Sequence, residues 1–80
     1  ALRVRLNHRQ KALLTHALKH PGAGYRIEDH QRTHGIVYQT ARTDLLQMAE
    51  LGLLEKIKEG RAFLFVAPED LATRMARLET

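Results

Sequence analysis

The stretch that decides the fold is Glu50-Leu51-Gly52-Leu53-Leu54-Glu55-Lys56-Ile57-Lys58-Glu59-Gly60-Arg61-Ala62-Phe63-Leu64-Phe65-Val66. Upstream of it, apolar residues recur at helical spacing. Here the period changes. Leu53 to Lys58 reads as a strand. Glu59-Gly60-Arg61 reads as a turn, with glycine where a positive φ is needed. Ala62 to Val66 is a second strand, because its apolar run is too short for a helix. The spacing therefore predicts a β-hairpin immediately after a helix.

That helix runs over 38–51, with Ala41, Leu45 and Met48 on one face and Gly52 closing it. Ile36-Val37 is a tight link behind Gly35, the expected left-handed cap of a short helix from Glu28 to His34. Glu28 and Asp29 in its first turn and His34 in its last suit the helix dipole. Tyr25-Arg26-Ile27 reads as extended, after a Gly22-Ala23-Gly24 turn. The first helix is predicted over 8–20. Asn7 is its N-cap and Gln10 completes a capping-box spacing, with Asn in place of Ser or Thr. Leu13, Leu14, Ala17 and Leu18 carry the helical spacing until Pro21-Gly22 stops it. Downstream, Pro68 suits the start of a last helix over 69–79, with Glu69 and Asp70 at its N-terminus and Leu71, Met75 and Leu78 on its apolar face. The expected core is Leu13, Leu14, Leu18, Ile27, Ile36, Leu45, Met48, Leu51, Leu54, Phe63 and Phe65.

Helix, short strand, helix, tight turn, helix, hairpin, helix is the order of a winged helix-turn-helix. The expected fold is thus α+β (mixed α/β in content), a three-helix core with a β-hairpin wing and a C-terminal helix. Residues 1–6 read as an arm or linker, 7–67 as the domain and 68–80 as the last helix. In this arrangement helix 38–51 is the recognition helix and hairpin 53–66 the wing. The helix would present Tyr38, Gln39, Thr40, Arg42 and Thr43 to double-stranded DNA. Arg42 suits guanine, Gln39 suits adenine, and Tyr38 and Thr40 suit phosphates or a thymine methyl. Lys56, Lys58 and Arg61 would hold the flanking backbone. Arg3, Arg5 and Arg9 read as a basic arm or as entry to the domain. The plainer reading of helix 38–51 is a solvated face, since Arg42 stands against Asp44 and Glu50. The plainer reading of the wing is a charged hairpin with Glu55 and Glu59 as cross-strand partners.

Two stretches carry a resemblance. Gly35-Ile36-Val37-Tyr38-Gln39-Thr40-Ala41-Arg42-Thr43-Asp44-Leu45 followed by Glu50-Leu51-Gly52-Leu53-Leu54-Glu55 resembles bacterial winged-helix regulators, the DeoR type included. With Leu6-Asn7-His8-Arg9-Gln10 and Lys58-Glu59-Gly60-Arg61 added, the chain resembles the C-terminal winged-helix domain of Fic-family proteins over about residues 6–67. The resemblance implies a larger parent that transfers AMP to a hydroxyl of a target protein. The active-site signature of that family, His-Pro-Phe and then Gly-Asn-Gly-Arg, has no counterpart here. Its nearest trace is His20-Pro21-Gly22, so this chain is expected not to be an enzyme. It is expected to bind DNA, or to serve as a protein-interaction or dimerisation module of such a parent. One position departs from the regulator pattern. Val37 stands where Ser or Thr commonly caps the recognition helix, and a lost cap costs about 1 kcal/mol.

Composition bounds the rest. The 80 residues carry a net charge of +4, 44% are hydrophobic and 28% are charged. That is the profile of a small soluble globular domain, and with no cysteine a reducing compartment, the cytoplasm, is the expected location. The positive excess lies in residues 1–24, and a basic balance suits a polyanion. Cysteine is absent, which excludes disulfides, thiolate metal sites and cysteine nucleophiles. Serine is absent too, and with it a serine triad. No apolar run approaches the roughly 18–20 residues of a membrane helix, and the N-terminus has no signal-peptide block. Without an initiator Met, the chain is expected to be processed or cut from a longer protein. The pairs His16/His20 and His30/His34 have metal-chelating spacing but no third ligand, so neither metal nor cofactor is expected.

Overall fold

The computed structural model describes residues 5–79. Among these, four helices and a three-stranded antiparallel sheet form an α+β fold. Its elements are α1 (His8–Lys19), β1 (Gly24–Tyr25), α2 (Ile27–His34), α3 (Tyr38–Glu50), β2 (Glu55–Glu59), β3 (Ala62–Val66) and α4 (Leu71–Glu79). The sheet order is β1-β3-β2, so the hairpin's second strand lies between its first strand and the short strand that follows α1. Glu55 stands opposite Val66 and Glu59 opposite Ala62, with Gly24 and Tyr25 opposite Val66 and Phe65.

Local chemistry sets the element ends. Asn7 Oδ1 accepts from the backbone N–H of Gln10 at 2.8 Å, and Gln10 Oε1 accepts from the backbone N–H of Asn7 at 3.0 Å. Both halves of the capping box are present. Gly35 ends α2 in the left-handed region, φ 60° and ψ 39°. Beyond α3, Gly52 turns at φ 79°, and the N–H of Leu53 returns to the carbonyl of Met48 at 2.9 Å.

The core gathers Leu13, Leu14, Ala17, Ile27, Ala41, Leu45, Met48, Leu53, Leu54, Phe65, Ala67 and Leu71 from every helix and the central strand. Five sequence expectations are corrected. Leu18 is 41% exposed. The buried stripe of α1 is Gln10, Leu13, Leu14 and Ala17, which leaves Leu18 at the edge of a groove against α4. Leu6, assigned to the arm, is buried in the core. The first hairpin strand starts at Glu55, not Leu53. Leu53 and Leu54 are both buried, and successive strand residues point to opposite faces, so a regular strand could not bury both against one core. Ile27 begins α2 and is not part of an extended piece. The last helix starts at Leu71, after a turn at Glu69 and Asp70, and packs back on α1. Among the described residues no helix is long and apolar enough to cross a membrane.

The turn between α2 and α3 depends on the conformation of Gly35, which an L-residue adopts at a cost of about 1–2 kcal/mol. Gly35→Ala is expected to lower stability by that amount in urea titration, with an unchanged far-ultraviolet circular dichroism spectrum.

Candidate functional site

The placement of α3 rests on one carboxylate. Ala41, Asp44, Leu45 and Met48 are the buried residues of this helix. Asp44 is 3% exposed and meets four donors. Oδ1 accepts from Asn7 Nδ2 at 2.8 Å and Arg9 Nη2 at 3.1 Å. Oδ2 accepts from Arg9 Nε at 2.8 Å and His30 Nε2 at 2.9 Å. Four donors fill the acceptor sites of an ionised carboxylate, so the His30 nitrogen facing it carries the proton. Gln10 completes the clamp: its Nε2 donates to the Asp44 carbonyl and to Gln47 Oε1, each at 3.0 Å. Asn7 and Gln10 thus use one end of each amide to cap α1 and the other to hold α3. Ser or Thr at position 7 could supply the cap but has no second group for Asp44.

Burial by itself pushes the Asp44 carboxyl up. The hydrogen bonds from Arg9, His30 and Asn7, with the charge on Arg9, outweigh it and hold the carboxyl at about 2, against an ordinary 3.8. The same bond to Asp44 raises the Arg9 guanidinium.

With Asp44 turned inward, the outer face of α3 reads differently from its sequence. Gln39, Arg42 and Thr43 are exposed and Thr40 is half-buried. Tyr38 is 46% exposed. The Thr43 hydroxyl donates to the Gln39 carbonyl at 2.9 Å, so it is engaged within its own helix. Arg42 is the only charged residue in the outward N-terminal half of α3; Glu50 lies at the far end. No side chain caps α3 at Val37, which is 67% exposed.

The hairpin sorts its charges by face. Lys56 pairs with Phe65 and Lys58 with Phe63. Residues opposite each other across an antiparallel pair share a face, and Phe65 is fully buried in the core. Lys56 and Lys58 therefore lie on the side of the sheet turned to the helices, beyond the edge of the core. Lys56 Nζ sits 4.9 Å from the centre of the Phe63 ring. Glu55, Ile57 and Glu59 take the opposite face. The glutamates are not cross-strand partners of these bases: Glu59 bonds Arg26 at 2.6 Å and Glu55 meets Arg74 at 3.5 Å. Arg61 is exposed in the turn.

Arg9 belongs to α1 and is locked on Asp44, Arg5 is exposed, and Arg3 lies outside the described residues. Sequence reasoning missed Asp44, Arg9, Gln10 and His30 as a cluster. The signal was an acid at position 44 of the stripe 41, 44, 45 and 48, where helical spacing demands burial. Comparison with family models, with curated proteins and with solved structures found no match.

Asp44→Ala leaves the Arg9 guanidinium and the buried His30 ring without their shared partner, and breaking a buried ion pair costs about 3–5 kcal/mol. Urea titration is expected to show a loss of that size. A carboxyl held lower in the folded than in the unfolded chain stabilises above the unfolded value and loses that effect as pH falls. About 2 kcal/mol, present at neutral pH, is expected to disappear between roughly pH 4 and pH 2. Stability profiles of the wild type and Asp44→Asn measured across that range will differ by this limb.

Proposed function

We propose that the chain is a winged-helix DNA-binding module, with α3 as recognition helix and the β2–β3 hairpin as wing. The observation that carries this reading is the burial of Asp44 against Arg9 and His30. It removes from the outer face of α3 the acid nearest to Arg42. Arg42, Gln39 and Tyr38 are then displayed at the end of a helix from which such modules read base edges. The order α1-β1-α2-α3-β2-β3 and the pairing of β1 with β3 support the same fold. In the wing, Lys56 and Lys58 share the helix-facing side, while both glutamates are engaged elsewhere. Phosphate contacts there would add affinity without sequence preference. As in the Fic-type resemblance, the proposed module would serve a larger AMP-transferring parent.

A second reading has one observation in its favour. Leu14, the exposed Leu18 and Met75 line an open groove of about 940 Å³ between α1 and α4, with Lys11 and Glu79 also in its walls. Under this reading the chain is a dimerisation or protein-interaction module and does not bind DNA. Sedimentation separates the two: a concentration-dependent dimer with no affinity for duplex at low salt supports this second reading alone.

Titration of a labelled duplex pool by anisotropy at two salt concentrations tests the DNA reading. Binding is expected to weaken with salt, and Lys58→Ala and Arg61→Ala are each expected to lower the logarithmic salt slope by about 0.9. Arg42→Ala is expected to cost about 1–3 kcal/mol on a selected site and little on random duplex. Salt-independent binding, or none at low salt, overturns the proposal.

A further inference from the structure

A second cavity lies away from the proposed DNA face, between α1, β1 and α2. Its volume is about 290 Å³ and it is a half-open groove. Ala12 and Leu13 line it beside the rings of His16, Tyr25, His30 and His34. The lining rings form two edge-to-face pairs, and His16 also meets the ring of His20 with centroids 4.4 Å apart. His16 and Tyr25 stand edge to face with centroids 5.7 Å apart, and His16 Nδ1 lies 2.7 Å from the Tyr25 hydroxyl. His30 and His34 stand 4.8 Å apart at 64°.

The lining is rich in rings and brings no unpaired guanidinium or carboxylate. Burial, then repulsion from the side of His30, Arg9 and His8, pushes the His34 imidazole down. Burial pushes the Tyr25 phenol up, which keeps it protonated. The two charged side chains in the lining are already paired, Arg26 with Glu59 and Asp29 with Arg32. An anionic occupant would find no unpaired guanidinium, and a cationic one no unpaired carboxylate. Flat rings, however, would find ring faces and edges on two sides, and imidazole nitrogens able to give or accept one hydrogen bond. Size agrees. An apolar cavity of roughly 150 Å³ holds one benzene ring, so this one has room for a fused bicycle. It falls at the lower edge of small-molecule sites, roughly 300–1,000 Å³.

We propose that this cavity binds a small, uncharged, planar aromatic molecule with one hydrogen-bonding edge. The occupant touches His30, whose Nε2 holds Asp44, so the same side chain forms a wall of the cavity and an anchor of α3. Binding at the cavity does not depend on the DNA reading.

Indole is a suitable probe, titrated into the 80-residue chain while ring resonances of the histidines and tyrosines are followed by NMR. Saturable shifts of His16, Tyr25 and His34 are expected, with a dissociation constant of about 1 mM or tighter. Cyclohexanol, similar in bulk without a π-system, and benzoate, flat but charged, are each expected to bind at least about tenfold more weakly. Ala12 is exposed on α1 at the cavity wall, so Ala12→Phe fills the space from the surface. It is expected to weaken indole binding about tenfold with an unchanged urea midpoint. If that variant does not fold, Thr33→Phe blocks the cavity from α2. The proposal is overturned by the absence of saturable shifts up to about 10 mM indole. It is overturned equally by tighter binding of cyclohexanol or benzoate, or by undiminished binding in the blocked variant.

Discussion

The Asp44 carboxylate is the constraint on which the domain depends. Taking a charge out of water is unfavourable by several kcal/mol unless its lone pairs are met. Here they are met from the start of α1 and from α2 at once. Asn7, Arg9 and Gln10 form one surface against α3, and His30 closes it from the other side. The carboxylate therefore fixes how three helices cross, which apolar contact alone leaves free to slide. It also explains the choice of Asn and Gln in the capping box. An amide has a donor and an acceptor, so each side chain can end one helix and grip another.

The same arrangement has an electrostatic consequence. By composition α3 is weakly acidic, a poor property for a helix meant to approach phosphates. Once Asp44 is counted with Arg9 and His30, and not with solvent, the outward half of α3 carries Arg42 as its charge. The hairpin shows a parallel effect through strand alternation. Its five charged residues are mixed along the chain but not in space. Lys56 and Lys58 fall on the face that holds Phe63 and Phe65, while Glu55 and Glu59 turn to Arg74 and Arg26. Local net charge counted along the sequence conceals both separations.

Much of the architecture was legible. Gly35, Gly52 and Gly60 punctuate the chain where helices or strands must turn, and the Asn7–Gln10 spacing marks the start of α1. The reversal at Gly60 follows from a period that changes from helical to alternating. The errors share a cause. Leu18 fits the helical repeat of α1, yet the repeat says only which residues share a face, not how wide a strip the neighbours cover. Leu53 fits a strand by composition, yet its backbone N–H is needed to close the end of α3. Of the expected DNA-facing residues, Tyr38, Gln39, Arg42, Thr43, Lys56, Lys58 and Arg61 are exposed as anticipated, since polar residues outside the apolar stripe stay in water. The Thr43 hydroxyl is taken up by its own helix, and Thr40 is half-buried, which spacing alone does not report.

By itself the sequence determined the elements, their order and most of the core, because caps, glycines and hydrophobic period act over a few residues. Only the tertiary structure decided the partners of the charged and ring-bearing side chains. Arg9 reaches Asp44 across 35 positions, and Arg26 reaches Glu59 across 33. Distances of that kind follow from how helices and strands are stacked, and no local pattern encodes them. The cavity between His16, Tyr25 and His34 arises in the same way, from three elements that meet only when the chain is folded.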